Sequence, residues 1–167
     1  AGAQKNLGIP GVTICIFEKG FFSKNDLTSY MDVHNHIDKN STFNTPPTFS
    51  IYVMLKVLEW IDKNGGIKKI EQNNVLRANK IYDFLDQNIN TLTPLAPVEF
   101  RSNSNIVFDF KAENQTDLFL EKSFENNFIG LNGHRSVGGI RVSNYNSITE
   151  EMVNDFLLFL DKFISSN

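Results

Sequence analysis

The sequence predicts an α/β fold, and three observations carry that expectation. From Gly65 onward the apolar pattern switches between helical and strand periods, in the order helix, strand, helix, strand, helix. Ser104–Phe110 (SNIVFDF) alternates apolar and polar residues, as a half-buried strand does. Thr149–Ile164 has Met152, Val153, Phe156, Phe159, Leu160 and Phe163 on a helical period. Thr149 stands there as the N-cap, and Glu150 and Glu151 suit the positive end of the helix dipole.

The remaining elements follow along the chain. Val12–Phe17 (VTICIF) is apolar and β-branched and predicts a largely buried strand after the turn residues Pro10-Gly11. Phe21–Ser41 is polar without a clean period and predicts mostly loop. His34 and His36 lie in it, but no Cys or acidic partner stands at a metal-ligand spacing, which favours a surface loop over a metal site. Thr45-Pro46-Pro47-Thr48 opens a helix whose expected apolar face is Ile51, Leu55, Leu58, Trp60 and Ile61, and Asn64-Gly65-Gly66 ends it. A second helix is predicted at about Ile67–Asn88, with Ile70, Ala78, Ile81 and Leu85 inward. Thr91–Pro97 reads as a proline-punctuated connection, Thr116–Asn127 as a helix and Gly139–Ser143 as a short strand.

Composition narrows the function classes. A net charge of −3, from 16 basic and 19 acidic residues, argues against a nucleic-acid partner, which usually leaves a basic footprint. No apolar run reaches the ~20 residues a membrane-crossing helix needs. Cys15, the single cysteine, has no internal disulfide partner, and a reducing, cytoplasmic compartment is expected. The start, Ala1-Gly2-Ala3-Gln4-Lys5-Asn6, runs almost at once into an apolar segment and is expected of a chain that begins in mid-domain.

Three clusters of residues carry possible chemistry. Gln4-Lys5-Asn6 stands beside the glycine-bearing turn Gly8-Ile9-Pro10-Gly11. A lysine among small residues can reach into a cleft, where a desolvated amine loses its proton and forms an imine with an aldehyde. An ordinary surface lysine is the alternative. Asn44-Thr45-Pro46-Pro47-Thr48 offers hydroxyl and N–H donors at a helix start, suited to an anion or simply to capping. Gly133-His134-Arg135 and Gly138-Gly139-Ile140-Arg141 put two arginines and a histidine among glycines. That set suits a small dianion, because the guanidinium fork matches phosphate and carboxylate; a solvated basic loop is the alternative.

In that order along the chain, the three clusters resemble the phosphoserine aminotransferase family of fold-type I pyridoxal-phosphate enzymes. The resemblance rests on AGAQKNLGIPGVTICI (1–16), FNTPPTFSIYVMLKVLEWIDKNGGI (43–67), RSNSNIVF (101–108) and GHRSVGGIRVSNYN (133–146). NTPPT and the GHRxVGGxR pattern are its most specific parts. Asn132, Ile140 and Val142 depart from the family's usual residues.

The resemblance implies a fold: residues 1–64 as the end of a large cofactor-binding domain with its interface loop and connecting helix, and residues 65–167 as a small C-terminal α/β domain. It implies that Lys5 bonds to pyridoxal phosphate and shuttles the substrate's α-proton, with Gln4 also touching the cofactor. It places Asn44 and Thr45 on the cofactor phosphate of the other subunit, so that a homodimer shares its active sites. It gives His134 and Arg135 to the substrate phosphate and Arg141 to its carboxylate. The implied reaction, in serine biosynthesis, interconverts O-phospho-L-serine plus 2-oxoglutarate with 3-phosphohydroxypyruvate plus glutamate. Family members are about twice as long, and the aromatic ring and carboxylate they place around the cofactor ring have no counterpart in this stretch. The alternatives are another fold-type I enzyme, such as a cysteine desulfurase or an alanine–glyoxylate-type aminotransferase, and an inactive fragment or non-catalytic interaction module of the same fold. The phosphate-sized arginine pair speaks against the other enzymes.

Overall fold

The computed structural model describes residues 1–22 and 28–166. It divides into two compact units, 1–64 and 65–167, each taken here by itself.

In residues 1–64 two helices stand out: α1 (Val33–Asp38) and α2 (Thr48–Lys63). The expected strand Val12–Phe17 does not form. Backbone pairing is limited to an isolated antiparallel bridge between Gly2 and Thr13. A strand is defined by its hydrogen-bonded neighbours, and beyond that bridge no other segment among the described residues pairs with this one; Ile16 is 94% exposed. The expected loop Phe21–Ser41 contains α1, while its residues 23–27 lie outside the described residues. Local polar chemistry accounts for this short helix. Asp32 Oδ1 accepts the His34 N–H at 3.0 Å as an N-cap and also meets His34 Nδ1 at 3.0 Å. His36 Nε2 lies 3.0 Å from the Tyr30 carbonyl oxygen, and its ring makes edge contacts with Tyr30 and Phe43. Both histidines thus shape the backbone, and no group of three metal-ligating side chains occurs among the described residues.

Helix α2 has the expected span, but a different face is covered. Ile51, Leu55, Leu58 and Trp60 are exposed, while Ser50 is buried and Val53, Met54 and Val57 are half-buried. The covering segment is the N-terminal loop, which touches α2 through Gly8 and Gly11. Asn64 ends the helix by donating from Nδ2 to the Trp60 carbonyl at 2.7 Å, and Gly65 follows in the left-handed region at φ 93°.

Residues 65–167 form an open-faced α/β layer. Helix α3 (Gly66–Gln87) leads into β1 (Leu92–Pro94), a 3-10 turn (Val98–Phe100) and β2 (Asn105–Phe110). Then come α4 (Gln115–Glu125), β3 (Asn132–His134), β4 (Gly138–Ser143) and α5 (Glu150–Ser166). The four strands pair antiparallel in the order β1-β2-β4-β3. The sequence pattern anticipates β2 and β4; β1 and β3, three residues each, are too short to show a period. Burial in β2 alternates: Ile106, Phe108 and Phe110 are buried and the residues between them half-buried. Those three join Ile140 of β4, Ala78, Ile81 and Leu85 of α3, Phe119 of α4, and Val153, Phe156, Leu160 and Phe163 of α5 in one core. Phe119 is its aromatic hub, with ring centroids 5.1–6.4 Å from Phe110, Phe156, Phe159 and Phe163.

Candidate functional site

In residues 1–64 the backbone builds a turn that carries Lys5. Ala3 N–H donates to the Val12 carbonyl at 3.0 Å and Ile14 N–H to the Ala1 carbonyl at 2.7 Å, so the chain returns on itself. Ala3 is fully buried and anchors the turn, while Gln4 and Lys5 beside it are exposed. The far limb rests on the start of α2. Ser50 Oγ donates to the Pro10 carbonyl at 2.9 Å, and a Cβ on Gly11 would lie 2.8 Å from that Oγ. Asn44 and Thr45 lie exposed just ahead of the same helix. No side chain caps α2, whose N-cap is Pro47, so Thr45 is not used up in capping.

In residues 65–167 the β3–β4 hairpin carries the other cluster. His134 pairs with Gly138 across a three-residue connection closed by Val137 N–H to the His134 carbonyl, 2.9 Å. His134 and Arg135 are exposed at its tip. Arg141 lies deeper in β4, opposite Val107 of β2, and is half-buried; its Nε is buried without a protein hydrogen-bond partner. A buried N–H left open costs about 1–3 kcal/mol unless something accepts from it, which fits a ligand-binding guanidinium. The glycines permit the hairpin's tightness. A Cβ on Gly133 would stand 1.8 Å from the Gly138 carbonyl oxygen, and Gly139 (φ 70°) backs onto the Phe108 carbonyl oxygen.

Behind Arg141 lies a buried polar network that the sequence reading missed. Asn144, fully buried three residues after Arg141, donates from Nδ2 to the carbonyls of Asn74 (2.9 Å) and Asn103 (2.8 Å). Its Oδ1 accepts from Arg77 Nε at 2.8 Å, and Arg77 also bonds the Asn74 side chain. Burial lowers the Arg77 pKa, and the charge of Glu150 opposes that. The available signal was an arginine beside Ala78 on the inward stripe of α3, where a cation needs partners. A second tie holds the segment before β2. Arg101 chelates Asp86 at 2.7 and 2.6 Å and lies 4.6 Å above the Tyr82 ring. Its hydrogen bonds hold the Asp86 carboxyl below its ordinary pKa, and burial raises that of the Tyr82 hydroxyl.

The family model for aminotransferase class-V matches residues 1–156, and the chain belongs to that family. Within it, the chain is similar to phosphoserine aminotransferases. It is 41% identical over 164 residues to that of Lactococcus lactis subsp. lactis (strain IL1403), covering 98% of this chain and 45% of the relative. Against that of Lysinibacillus sphaericus (strain C3-41) it is 42% identical over 163 residues, covering 95% and 45%. Among solved structures, one describing radiation damage of the Schiff base in phosphoserine aminotransferase superposes with a TM-score of 0.95 at 38% identity, over 99% of this chain and 46% of that one. A pyridoxal-phosphate-bound phosphoserine aminotransferase from Trichomonas vaginalis matches with a TM-score of 0.76 at 29% identity, over 83% and 39%. The chain thus spans somewhat under half the length of the relatives it matches.

Proposed function

We propose that this chain serves pyridoxal-phosphate-dependent transamination between O-phospho-L-serine and 2-oxoglutarate. One observation carries the substrate assignment: the hairpin presents His134 and Arg135 at its tip and Arg141, with an unpartnered buried Nε, further along β4. A class-V aminotransferase needs to hold an amino acid's carboxylate; two further donors suit a second anionic group of phosphate size.

The residues of the first cluster fit the cofactor in chemical type. Lys5 supplies a primary amine on an exposed turn, and Gln4, Asn44 and Thr45 supply neutral donors. Pyridoxal phosphate, when bound, supplies the electron sink for loss of the substrate's α-proton. Lys5 Nζ, as the free amine, takes that proton and returns it. Gln4 orients the cofactor, while Asn44 and Thr45 hold its phosphate across a homodimer. Arg141 grips the substrate carboxylate, and His134 and Arg135 its phosphate. On this reading residues 1–64 end a large domain, residues 65–167 form a small one, and the protein works in the cytoplasm; among the described residues no helix is long and apolar enough to cross a membrane.

The test uses the protein expressed from its complete gene. Charge-assisted bonds are worth roughly 1.5–3 kcal/mol each, so Arg135→Ala should lower kcat/KM for phosphoserine by ~10- to 100-fold. His134→Ala should reduce phosphoserine use more than glutamate use, since glutamate has no phosphate. Equal losses for the two substrates would contradict the phosphate role.

A further inference from the structure

We propose that Ser136 is a positioning residue that holds His134 in its Nε2–H tautomer, so that the imidazole directs a proton, not a lone pair, at the substrate phosphate. The inference rests on the phosphate role given to His134 above and adds a residue and a protonation pattern to it.

Two atoms of Ser136 converge on one ring nitrogen. The backbone N–H of Ser136 points at His134 Nδ1 from 3.3 Å, and Ser136 Oγ lies 2.7 Å from the same atom. A backbone N–H only donates, but at 3.3 Å it biases Nδ1 weakly toward presenting its lone pair; the hydroxyl at 2.7 Å is the stronger contact and decides the tautomer. A proton on Nδ1 would face the Ser136 N–H directly. The hydroxyl turns to suit, and in the proposed arrangement it donates to that same single lone pair, which the backbone N–H shares. In the neutral ring the proton is then on Nε2.

The hairpin makes this arrangement local and firm. Val137 N–H closes the turn on the His134 carbonyl, and His134 pairs with Gly138, so Ser136 is held under the ring it serves. A phosphate dianion offers acceptors only. The opposite tautomer, with Nδ1 tied to Ser136, would set a lone pair of Nε2 against those acceptors. Because its hydroxyl hydrogen is committed to Nδ1, Ser136 acts through His134.

The experiment is long-range proton–nitrogen NMR of the imidazoles in the full 167-residue chain at alkaline pH, with His34 and His36 as internal references. His134 is expected to show a single population with an unprotonated Nδ1 and a protonated Nε2. Ser136→Ala should mix the two tautomers, and Ser136→Thr, which keeps the hydroxyl, should restore one. A protonated Nδ1 in the unaltered chain, or an unchanged tautomer ratio in Ser136→Ala, would overturn the proposal. A purely structural role for the hydroxyl would move neither ratio. In the protein expressed from its complete gene, supplied with pyridoxal phosphate, adding O-phospho-L-serine should then shift His134 Nε2, with ~2- to 10-fold weaker apparent affinity in Ser136→Ala, as expected for one hydrogen bond. A locked tautomer that phosphoserine leaves unmoved would count against the phosphoserine function and leave Ser136's hold on the ring standing.

Discussion

Gly133 has no room for a side chain: a methyl group would lie 1.8 Å from a backbone oxygen of the paired strand. Backbone cannot swing aside as a flexible side chain does, so Gly133→Ala should destabilise residues 65–167 by ~3 kcal/mol. The denaturant midpoint should fall accordingly, and an unchanged midpoint would show that the hairpin is looser than drawn. At the same scale, Lys5 is expected to carry the pyridoxyl group after borohydride reduction and peptide mapping of the protein from its complete gene; a label on another lysine would refute its role. The cluster of His134, Arg135 and Arg141 stood out in the sequence because arginines interleaved with glycines are a chemical pattern, and its ligand role is the proposal made above. Ser136 did not, because its effect depends on the hairpin bringing its N–H and hydroxyl to a ring two residues back.

Among the elements, β4 is fastened to α3 by the Arg77–Asn144 network, and the end of the strand that carries Arg141 depends on it. Asn144→Ala would remove three hydrogen bonds, the acceptor of Arg77 Nε and a donor to each of the Asn74 and Asn103 carbonyls, at ~0.5–1.5 kcal/mol each. A total loss of ~2–4 kcal/mol is expected in equilibrium unfolding. The change should be coupled to Arg77→Met, since removing both partners leaves less unsatisfied than removing one; additive losses would refute the network. The helices of residues 65–167 and the strands β2 and β4 were legible because each buries one face against the same core, so period and burial agree; β1 and β3, three residues each, were not. Val12–Phe17 was misread for the converse reason. Apolar, β-branched composition records a preference for pairing, and among the described residues the only pairing of this segment is the Gly2–Thr13 bridge. On α2 the span followed from its proline start and glycine end, but the covered face was decided by Gly8 and Gly11 approaching Val53, Met54 and Ser50, a contact between distant segments.

At the scale of the whole molecule, the two units differ in how much apolar surface they bury. Nearly all of the buried core belongs to residues 65–167, whereas Ile16, Phe21 and Phe49 are largely exposed. Hydrogen exchange should therefore be slowest in β2, β4 and α3 and fastest in residues 1–22 and 28–50, and residues 65–167 should fold when expressed alone. Acid sensitivity follows from the Arg101–Asp86 pair. The folded pKa of Asp86 lies below its ordinary value of 3.8, so the pair stabilises fully above that value and is lost as pH falls through the lowered one. With Asp86 half-exposed, Asp86→Asn should cost about 1 kcal/mol or less at pH 7 and progressively less as pH falls through the lowered pKa.

The 167 residues by themselves should show no transaminase turnover, since the reading gives them the lysine and the substrate-binding arginines but no partner for the cofactor's ring. The central claim is the substrate, and the most direct measurement is a substrate comparison on the protein from its complete gene, supplied with pyridoxal phosphate and 2-oxoglutarate. Glutamate formation from O-phospho-L-serine should exceed that from L-alanine by at least ~100-fold in kcat/KM, the discrimination expected when two charge-assisted contacts find no phosphate. Equal use of the two amino acids, or a preference for alanine, would contradict the assignment of His134 and Arg135 to a substrate phosphate.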